Sequence, residues 1–515
     1  MDWLKIIVSR VPVLAAAIAL IGAIAQAAQP VADRVYGQPD FASTTPNNPL
    51  VPLSNQLDDP HGVAVTTEGV YISDYHNSRV LFYPAGSTTA TRVYGQEDFT
   101  TFDLNHFGLN EFSLSKPTGI AANATGLYVV DYRNSRVLFF PPGSTTAALV
   151  YGQPNFGSST PSWNGTTATS LVYPDDVAVD DAGGVYVSDS GASRVVFYPP
   201  GSNVATKVWG GPDLSHIYSG GLGPDRYSYT HGLAVNNEGL YVVDYGNHRA
   251  LFFPTGFSVA TRVYGQPTMY TNAPNNGGIG PDTLQQPQGI CVDGQGVYIS
   301  DYLNSRVLYF EGTSTVASAV YGQPDFTAVG LNRNGVTPLG FYVPRGVASD
   351  ATGLYVCDSY NSRVLHFPKQ SAETPAVITI ATQPGGGVAG QALSTQPVVR
   401  VLLTNGNTAQ SFGRAVKLTL VPVSGPPYAM VVGETTINAV NGVAIFNGLA
   451  IDTPGSYKFR ITSVTFPPLE TSTFTVLPPA GTPVLGDIDR DGVFNLADVV
   501  KLARISAGLD TFTHG

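Results

Sequence analysis

The chain has 515 residues, a formal net charge of -11, 56 glycines, 39 prolines and only 12% charged residues. This length exceeds one ordinary hydrophobic core, so we expect several domains. The glycine, proline and aromatic content is typical of an all-β protein and excludes a disordered one. The negative charge and the lack of a long Lys/Arg run exclude nucleic acid as a partner, because phosphate binding needs a basic surface.

The first residues have the form of a secretory signal. Lys5 and Arg10 precede an apolar run over residues 11–25, and Ala25-Gln26-Ala27 has the small-x-small pattern that signal peptidase cleaves. We therefore expect residues 1–27 to be a signal peptide and the protein to be secreted or displayed at the cell surface. The alternative is an uncleaved membrane anchor, since the run can be extended to nearly spanning length.

A short word, Asp-x-x-x-x-Arg, recurs between two apolar strand patterns. Its copies begin at Asp74, Asp131, Asp189, Asp244, Asp301 and Asp358. A repeat of this period built from short strands predicts the blades of a propeller. Because the Asp and the Arg occur in every copy, we interpret them as a pair that stabilises the turn of each blade. The alternative is a ring of ligand-binding charges.

A second word, Val-Tyr-Gly-Gln, precedes each copy of the first. It starts at Val35, Val93, Val150, Val263 and Val320, with a looser copy at Val208-Trp209-Gly210-Gly211. No copy follows the last repeat, which ends at Pro368. We therefore predict that residues 34–37 form the outermost strand of the sixth blade and close the ring, which removes an exposed sheet edge.

The repeats resemble the NHL-repeat family, whose blades read Pro-x-Gly-(Val/Ile)-Ala-Val, Gly-x-(Leu/Val)-Tyr-Val-x-Asp and Asn-x-Arg-(Val/Ile). Residues 60–83 match this pattern nearly throughout. The resemblance implies a six-bladed β-propeller over residues 34–368. NHL propellers include binding proteins, sensors, lyases and scaffolds, so the resemblance predicts the fold rather than the function.

The residue between Pro and Gly at the start of each innermost strand is expected at the mouth of the central channel; blade three has Asp176 for the Gly, and blade four has Thr230 for the Pro. These positions hold His61, Thr118, Asp175, His231, Gln288 and Arg345. The ionisable ones, His61, Asp175, His231 and Arg345, are our candidate ligand-binding residues, and the alternative is a solvated rim. His61 and His231 belong to blades one and four, on opposite sides of the ring, which disfavours one shared metal ion. The chain carries no sequence motif that predicts catalytic residues.

Long connections on the same face of the propeller carry scattered aromatic residues. They are Phe102, Phe107, Phe112, Trp163, Tyr227, Tyr229, Phe341 and Tyr342. Stacking on a glycan or peptide ligand is one interpretation, and anchoring of the loops onto the blades is the other. The two cysteines, Cys291 and Cys357, fall in predicted strands of adjacent blades, where we expect free buried thiols rather than a disulfide.

After a polar linker, residues 376–478 contain strand-like runs with alternating apolar residues, which predict a β-sandwich. This region resembles bacterial Ig-like domains, which carry words similar to Gln383-Pro384, Asn405-Gly406-Asn407 and Val440-Asn441-Gly442-Val443-Ala444. The resemblance implies a spacer.

The most specific motif lies near the C-terminus. Oxygen ligands at the spacing of a twelve-residue calcium loop are offered by Asp487, Asp489, Asp491, the Val493 carbonyl, Asn495 and Asp498, with Gly492 at the turn. We expect this loop to bind Ca²⁺ and to continue into a helix from about Leu496 to Ala507. The alternative is an acidic turn that caps the helix.

Asp498 at the twelfth position and Gly486 before the loop make residues 486–510 resemble one half of a dockerin. That family carries two such halves, and this chain shows one. The resemblance implies attachment to a cohesin-like partner, in an assembly that degrades polysaccharides.

The predicted fold class is therefore all-β, with a six-bladed β-propeller, an Ig-like β-sandwich and a short dockerin-like tail. These features predict an exported multimodular binding or scaffold protein, whose propeller takes a glycan or peptide ligand. The alternative is a propeller enzyme, a lyase, lactonase or glycan-cleaving hydrolase, with its site at the channel mouth.

Overall fold

The structure is a computed structural model that describes residues 30–47, 51–162, 165–217, 220–369, 375–403, 406, 408–409, 412–440, 442–463, 466–479 and 496–508. These residues fall into two compact units, one up to Lys369 and one after it. The predicted signal peptide and residues 487–495 of the predicted calcium loop lie outside the described residues. No helix within the described ranges is long and apolar enough to cross a membrane.

Four-stranded antiparallel sheets make up the first unit. The first strand in the chain is β1 (Arg34–Tyr36). Five sheets follow in chain order: β2–β5 (Pro60–Thr66, Gly69–Asp74, Arg79–Pro84, Arg92–Tyr94), β6–β9 (Pro117–Asn123, Gly126–Asp131, Arg136–Phe140, Leu149–Tyr151), β10–β13 (Asp176–Val179, Val185–Asp189, Arg194–Tyr198, Lys207–Trp209), β14–β17 (Thr230–Asn236, Gly239–Asp244, Arg249–Pro254, Arg262–Tyr264) and β18–β21 (Pro287–Val292, Gly296–Asp301, Arg306–Glu311, Ala319–Tyr321). The sixth sheet contains β22 (Pro344–Ser349), β23 (Gly353–Asp358), β24 (Arg363–Pro368) and β1.

The six sheets are the blades of a closed ring. Each innermost strand packs against that of the next blade, and β22 packs against β2. The ring closes through β1, which pairs antiparallel with β24 so that Arg34 lies opposite His366 and Tyr36 opposite Val364. The prediction that the first strand completes the sixth blade is confirmed, and we call β1 the latch strand.

Glycine at the Pro-x-Gly positions lets neighbouring innermost strands approach each other. A Cβ on Gly62 would lie 2.5 Å from the carbonyl oxygen of Thr118, and one on Gly289 would lie 2.5 Å from that of Arg345. Both distances are shorter than any real contact of this kind, so a side chain at either position would push two blades apart. Blade three has Asp176 at this position, and its role is described with the channel mouth.

The Asp-x-x-x-x-Arg words form buried ion pairs in all six blades, with Arg Nε 2.6–2.8 Å from Asp Oδ2. In blade two, Asp131 also accepts a hydrogen bond from the Ser115 amide. Arg136 donates to the carbonyl oxygens of Asn110, Ser113 and Phe156. The pair therefore joins the second and third strands to the loops on both sides. The prediction of a turn-stabilising pair is confirmed.

The residues between Asp and Arg form short 3₁₀ turns at Tyr132–Asn134, Ser190–Ala192, Tyr245–Asn247, Tyr302–Asn304 and Ser359–Asn361. Two further 3₁₀ segments, Pro274–Gly277 and Leu331–Asn334, lie in loops. In blades one to four the side chain of the residue before the Arg links its blade to the next. The hydroxyl of Ser135 lies 3.3 Å from the Tyr173 amide, and in blade four His248 Nδ1 accepts from the Gln286 amide at 3.0 Å.

The second unit contains β25 (Pro375–Thr382), β26 (Gly387–Val388), β27 (Val398–Leu403), β28 (Ala415–Pro422), β29 (Val431–Val432), β30 (Thr436–Asn438), β31 (Val443–Ile445), β32 (Ala450–Ile451), β33 (Gly455–Ser463), β34 (Phe466–Glu470), β35 (Phe474–Leu477) and the helix α1 (Leu496–Ser506). Strands β25, β27 and β31 form one sheet, and β26, β35, β33, β28 and β30 form another, with β34 paired to β33. Side chains from both sheets, such as Val399 and Phe459, share one hydrophobic core. The Ig-like assignment stays a prediction.

Cys291 and Cys357 are free thiols, as expected. Burial raises the pKa of the Cys291 thiol to about 12. Both cysteines therefore stay protonated at neutral pH and act as small core side chains.

Candidate functional site

The innermost strands of all six blades line one central cavity of about 80 Å³. Its lining includes three of the candidate residues, His61, Asp175 and Arg345. The fourth, His231, contacts Asp175. A cavity of this volume has room for a few water-sized polar groups. The structure thus places all four sequence-predicted residues at the channel mouth.

His61 belongs to a cluster built around Asp59. Its Nε2 lies 3.2 Å from Asp59 Oδ2, and its ring stacks on Tyr75 with 4.0 Å between ring centres. Arg345 approaches from blade six, with Nε 3.9 Å from Asp59 Oδ1. The Arg345 guanidinium also lies 5.0 Å above the ring centre of Tyr302, a cation–π contact. The cluster therefore joins blades one, five and six.

His231 and Asp175 form a second cluster. His231 Nδ1 lies 2.9 Å from Asp175 Oδ2, and the imidazole ring packs on Tyr245 at 4.4 Å between ring centres. The nitrogen is not aligned for a hydrogen bond, so the two groups are in close contact without one. The two histidines thus have different carboxylate partners. Among the described residues, no group of three or more His, Cys, Asp and Glu side chains is placed to hold a metal ion.

Burial and neighbouring charges separate the protonation states in the Asp59 cluster. Burial, together with the charge of Arg345, lowers the pKa of His61 to about 4. Burial acts to raise the pKa of Asp59, but the contacts with His61 and the charge of Arg345 outweigh it and lower that pKa to about 2. At neutral pH, therefore, an ionised Asp59 accepts a hydrogen bond from a neutral His61.

Several buried polar atoms at the mouth have no hydrogen-bond partner among the described residues. They are Asp59 Oδ1, Thr118 Oγ1, His231 Nδ1 and Arg345 Nε. An unpaired buried polar atom costs about 1–3 kcal/mol, so folded proteins seldom retain several of them together. Two of these atoms, Thr118 Oγ1 and Arg345 Nε, belong to residues that line the cavity, which marks it as a place where a polar ligand or water completes the hydrogen bonding.

The sequence analysis missed Asp59 and a set of half-buried tyrosines at the mouth. The tyrosine that follows the repeated Asp in four blades is Tyr75, Tyr132, Tyr245 or Tyr302. Three of these rings support His61, His231 and Arg345, as described above, and the fourth, Tyr132, packs on Tyr173. The sequence could have indicated these tyrosines, because each of them directly follows the repeated Asp, where a strand ends.

The aromatic residues of the long loops divide into two groups. Tyr227 and Phe341 are buried and anchor their loops, whereas Phe107 and Tyr229 are 76% and 59% exposed. Trp163 lies outside the described residues. The loop-anchoring interpretation is therefore confirmed for Tyr227 and Phe341, and ligand stacking stays a prediction for the exposed rings.

The carboxyl group of Asp176 fills the gap between blades three and four. Oδ2 accepts a hydrogen bond from the Leu233 amide at 2.8 Å, and Oδ1 accepts one from the Val177 amide at 2.9 Å. Burial raises the pKa of Asp176 to about 8, with a further contribution from the charge of Asp175. This group is therefore a neutral carboxylic acid at neutral pH.

We expect Asp176 to make the stability of the propeller fall as the pH rises from about 4 to about 8. The folded state holds the proton up to about pH 8, whereas the unfolded chain holds it only below about pH 4. The stabilisation is thus fully present below the unfolded pKa and is lost as the pH rises through the folded pKa. Asp176→Asn should remove this part of the slope in urea titrations at pH 5 and pH 8. Asp181→Asn, at an exposed site in the same blade, is the control, and equal slopes in the wild type and Asp176→Asn would contradict the assignment.

Of the predicted calcium ligands, Asp498 alone lies in the described residues, in the first turn of α1 with its side chain buried. Asp487, Asp489, Asp491, Val493 and Asn495 lie outside them. The structure therefore leaves the calcium site as a prediction.

The NHL repeat family matches two segments of the chain, residues 57–82 and 171–198. No curated protein matches the chain significantly. Similar solved structures include virginiamycin B lyase from Staphylococcus aureus, with 13% identity over 62% of this chain and 98% of that one and a TM-score of 0.38. A gluconolactonase from Xanthomonas campestris has 14% identity over 67% of this chain and 99% of that one, with a TM-score of 0.37. At these scores, the activities in their names are properties of those proteins alone.

The matched segments fall on the first three strands of blade one and on the first three strands of blade three. The repeats, the buried Asp–Arg pairs and the closed ring of four-stranded sheets all agree with this match. The chain therefore contains NHL repeats, and they build a six-bladed β-propeller.

Proposed function

We propose that the chain is an exported binding protein whose propeller captures a polar ligand, a glycan or a peptide, at the channel mouth. The observation that supports this best is the set of buried polar atoms without a hydrogen bond at the mouth, two of which, Thr118 Oγ1 and Arg345 Nε, belong to residues that line the cavity. The half-buried tyrosines beside them offer apolar surface to the same ligand. In this proposal the Ig-like region is a spacer. The dockerin-like tail attaches the protein to a cohesin-like partner at the cell surface or in a polysaccharide-degrading assembly.

Arg345→Ala is expected to weaken ligand binding by about tenfold to a hundredfold, because a hydrogen bond to a charged group contributes about 1.5–3 kcal/mol. The full chain would be screened on an array of glycans and peptides, and the affinity of each hit measured by calorimetry. Lys207→Ala, which removes a positive charge on an outer strand, is the matched control. Equal affinity in the wild type and Arg345→Ala would place the ligand elsewhere.

A propeller enzyme is the second candidate, a lyase, lactonase or glycan-cleaving hydrolase. The pairing of His61 with the Asp59 carboxylate supports it, because a neutral imidazole held by a carboxylate is a common general-base arrangement. Metal analysis of Asp487→Ala/Asp498→Ala, in which the predicted tail site is removed, separates the two candidates. A stoichiometric metal ion that disappears with His61→Ala and His231→Ala would favour the enzyme. A metal-free propeller without turnover of lactones or glycans would favour the binding protein.

Ca²⁺ is expected to increase the helix content of the tail. Clustered carboxylates repel one another until a cation binds them, and the predicted helix begins inside the loop. Circular dichroism of the full chain should show the gain, with a dissociation constant of about 10⁻⁴ to 10⁻³ M, as in extracellular calcium modules. Asp487→Ala and Asp498→Ala should abolish the response, whereas Asp181→Ala should retain it. The absence of any response at millimolar Ca²⁺ would remove calcium-dependent attachment from the proposal.

A further inference from the structure

Blade three departs from the repeat at its outermost strand. Where the other blades have Val-Tyr-Gly-Gln, it has Trp209 for the tyrosine and Gly211 for the glutamine. In blade two the glutamine is Gln153, whose Nε2 donates to the carbonyl oxygens of Ser135 and Thr160 at 3.0 and 3.1 Å. Glycine at position 211 removes this side chain from the space between the strand and the following loop.

A cavity of about 330 Å³ lies beside Gly211. Its lining includes Trp209, Gly211, Asp225, Arg226 and Ser258, and we call it the side pocket. Its volume is at the lower end of the range of about 300–1,000 Å³ that is typical of small-molecule sites. It adjoins an outermost strand, whereas the channel mouth is built from the innermost strands, so the two are different sites.

A third departure from the repeat occurs beside the side pocket, at Phe257. The corresponding turns of four other blades carry a serine whose hydroxyl bonds within the turn, namely Ser87, Ser144, Ser202 and Ser314. Phe257 has no such hydroxyl, and its side chain is 62% exposed. Its carbonyl oxygen accepts a hydrogen bond from Trp209 Nε1 at 3.0 Å. Three departures from the repeat, Trp209, Gly211 and Phe257, thus lie at or beside the side pocket. A binding site on a pseudo-symmetric ring requires such asymmetry.

The polar groups of the side pocket are available to a ligand. Asp225 and Arg226 are exposed, and neither side chain makes a hydrogen bond or an ion pair with another described residue. One carries a negative and the other a positive charge, so the pair favours a neutral ligand that both accepts and donates hydrogen bonds. The electron-rich face of an indole packs well against polarised C–H groups.

We propose that the side pocket binds a neutral saccharide ring. The C–H face of the sugar packs on Trp209, while its hydroxyl groups donate to Asp225 and accept from Arg226. A charged ligand would leave one of these two side chains opposed by a like charge. The site is independent of the ligand proposed for the channel mouth.

Fluorescence of Trp209 tests this assignment in the full chain with Trp3→Phe and Trp163→Phe, which leaves Trp209 as the single tryptophan. The probes are the tetrasaccharides of β-linked glucose, α-linked glucose and β-linked N-acetylglucosamine, with tetra-alanine as the comparison. We expect a saturable change with at least one sugar and none with tetra-alanine.

Gly211→Gln is the decisive variant, because it adds to the lining of the side pocket the side chain that the other blades carry at this position. Gly211 does not have a positive φ, so its backbone accepts glutamine. We expect at least tenfold weaker binding with an unchanged melting temperature. Gly157→Gln, which adds the same side chain at an exposed loop position, should bind as the wild type does. Binding that Gly211→Gln leaves unchanged, equal binding of tetra-alanine, or no saturable change with any sugar up to about 10 mM would overturn the proposal.

Discussion

Arg136→Met is expected to destabilise the propeller by about 3–5 kcal/mol, the usual cost of removing one partner of a buried ion pair. The substitution leaves the carboxylate of Asp131 in the core without its cation. It also removes the donors that three loop carbonyl oxygens share, and each unpaired group adds its own cost. Thermal unfolding should show a fall in melting temperature on the order of 10 °C.

Arg133→Met is the matched control for this experiment. Arg133 lies in the same turn, but its side chain is exposed, and an exposed charge contributes little to stability. Its melting temperature should equal that of the wild type. If Arg136→Met also melted at the wild-type temperature, the pair would not be what holds the turn together.

Deletion of residues 28–38 is expected to open the ring and to cause aggregation. The deletion removes the latch strand, including the buried side chain of Tyr36 and the contact at 2.6 Å between His366 Nδ1 and Asp33 Oδ1. It also removes Gln38, whose Nε2 donates to the Ser362 carbonyl at 3.0 Å. Strand β24 then presents an unpaired edge, which recruits strands from other molecules. The melting temperature should fall by about 10 °C or more, since the loss of a buried aromatic side chain alone costs about 3–5 kcal/mol.

A synthetic peptide of residues 28–44 provides the control. Added in excess, it should pair with β24 and restore both the melting temperature and the monomeric state, whereas a scrambled peptide should not. A deletion variant that is monomeric and melts like the wild type would show that the latch strand contributes nothing to closure.

The propeller could be predicted because the two repeated words, Asp-x-x-x-x-Arg and Val-Tyr-Gly-Gln, occupy positions that every blade requires for its fold. The offset between the words also located the latch strand, since a ring with one strand too many at its start and one too few at its end has a single way to close. The second unit has no internal repeat. Its sheets follow the alternating pattern, but the Ig-like class, the calcium loop and the signal peptide stay predictions.

The channel mouth could be predicted only in part. The Pro-x-Gly positions located His61 and Arg345, but the carboxylate between them, Asp59, lies outside that motif. Asp59 has a φ of 55°, a left-handed conformation that turns the chain just before Pro60. The surroundings of its side chain come from three different blades, which come together only at the axis of the folded ring. Pairings of this kind arise from tertiary structure and leave no periodic signal in the sequence.

The latch strand also sets the order in which the molecule is assembled. Asp33 and His366, which meet at the seam of the ring, are 333 residues apart in the chain. At a synthesis rate of about 5–20 residues per second, the first strand waits roughly 20 to 70 s for its partner. Closing so long a loop has an entropic cost that local hairpins avoid, so seam formation is expected to be the slow step. During this interval the nascent protein carries an exposed edge, and the strand that is made first is the last to be placed.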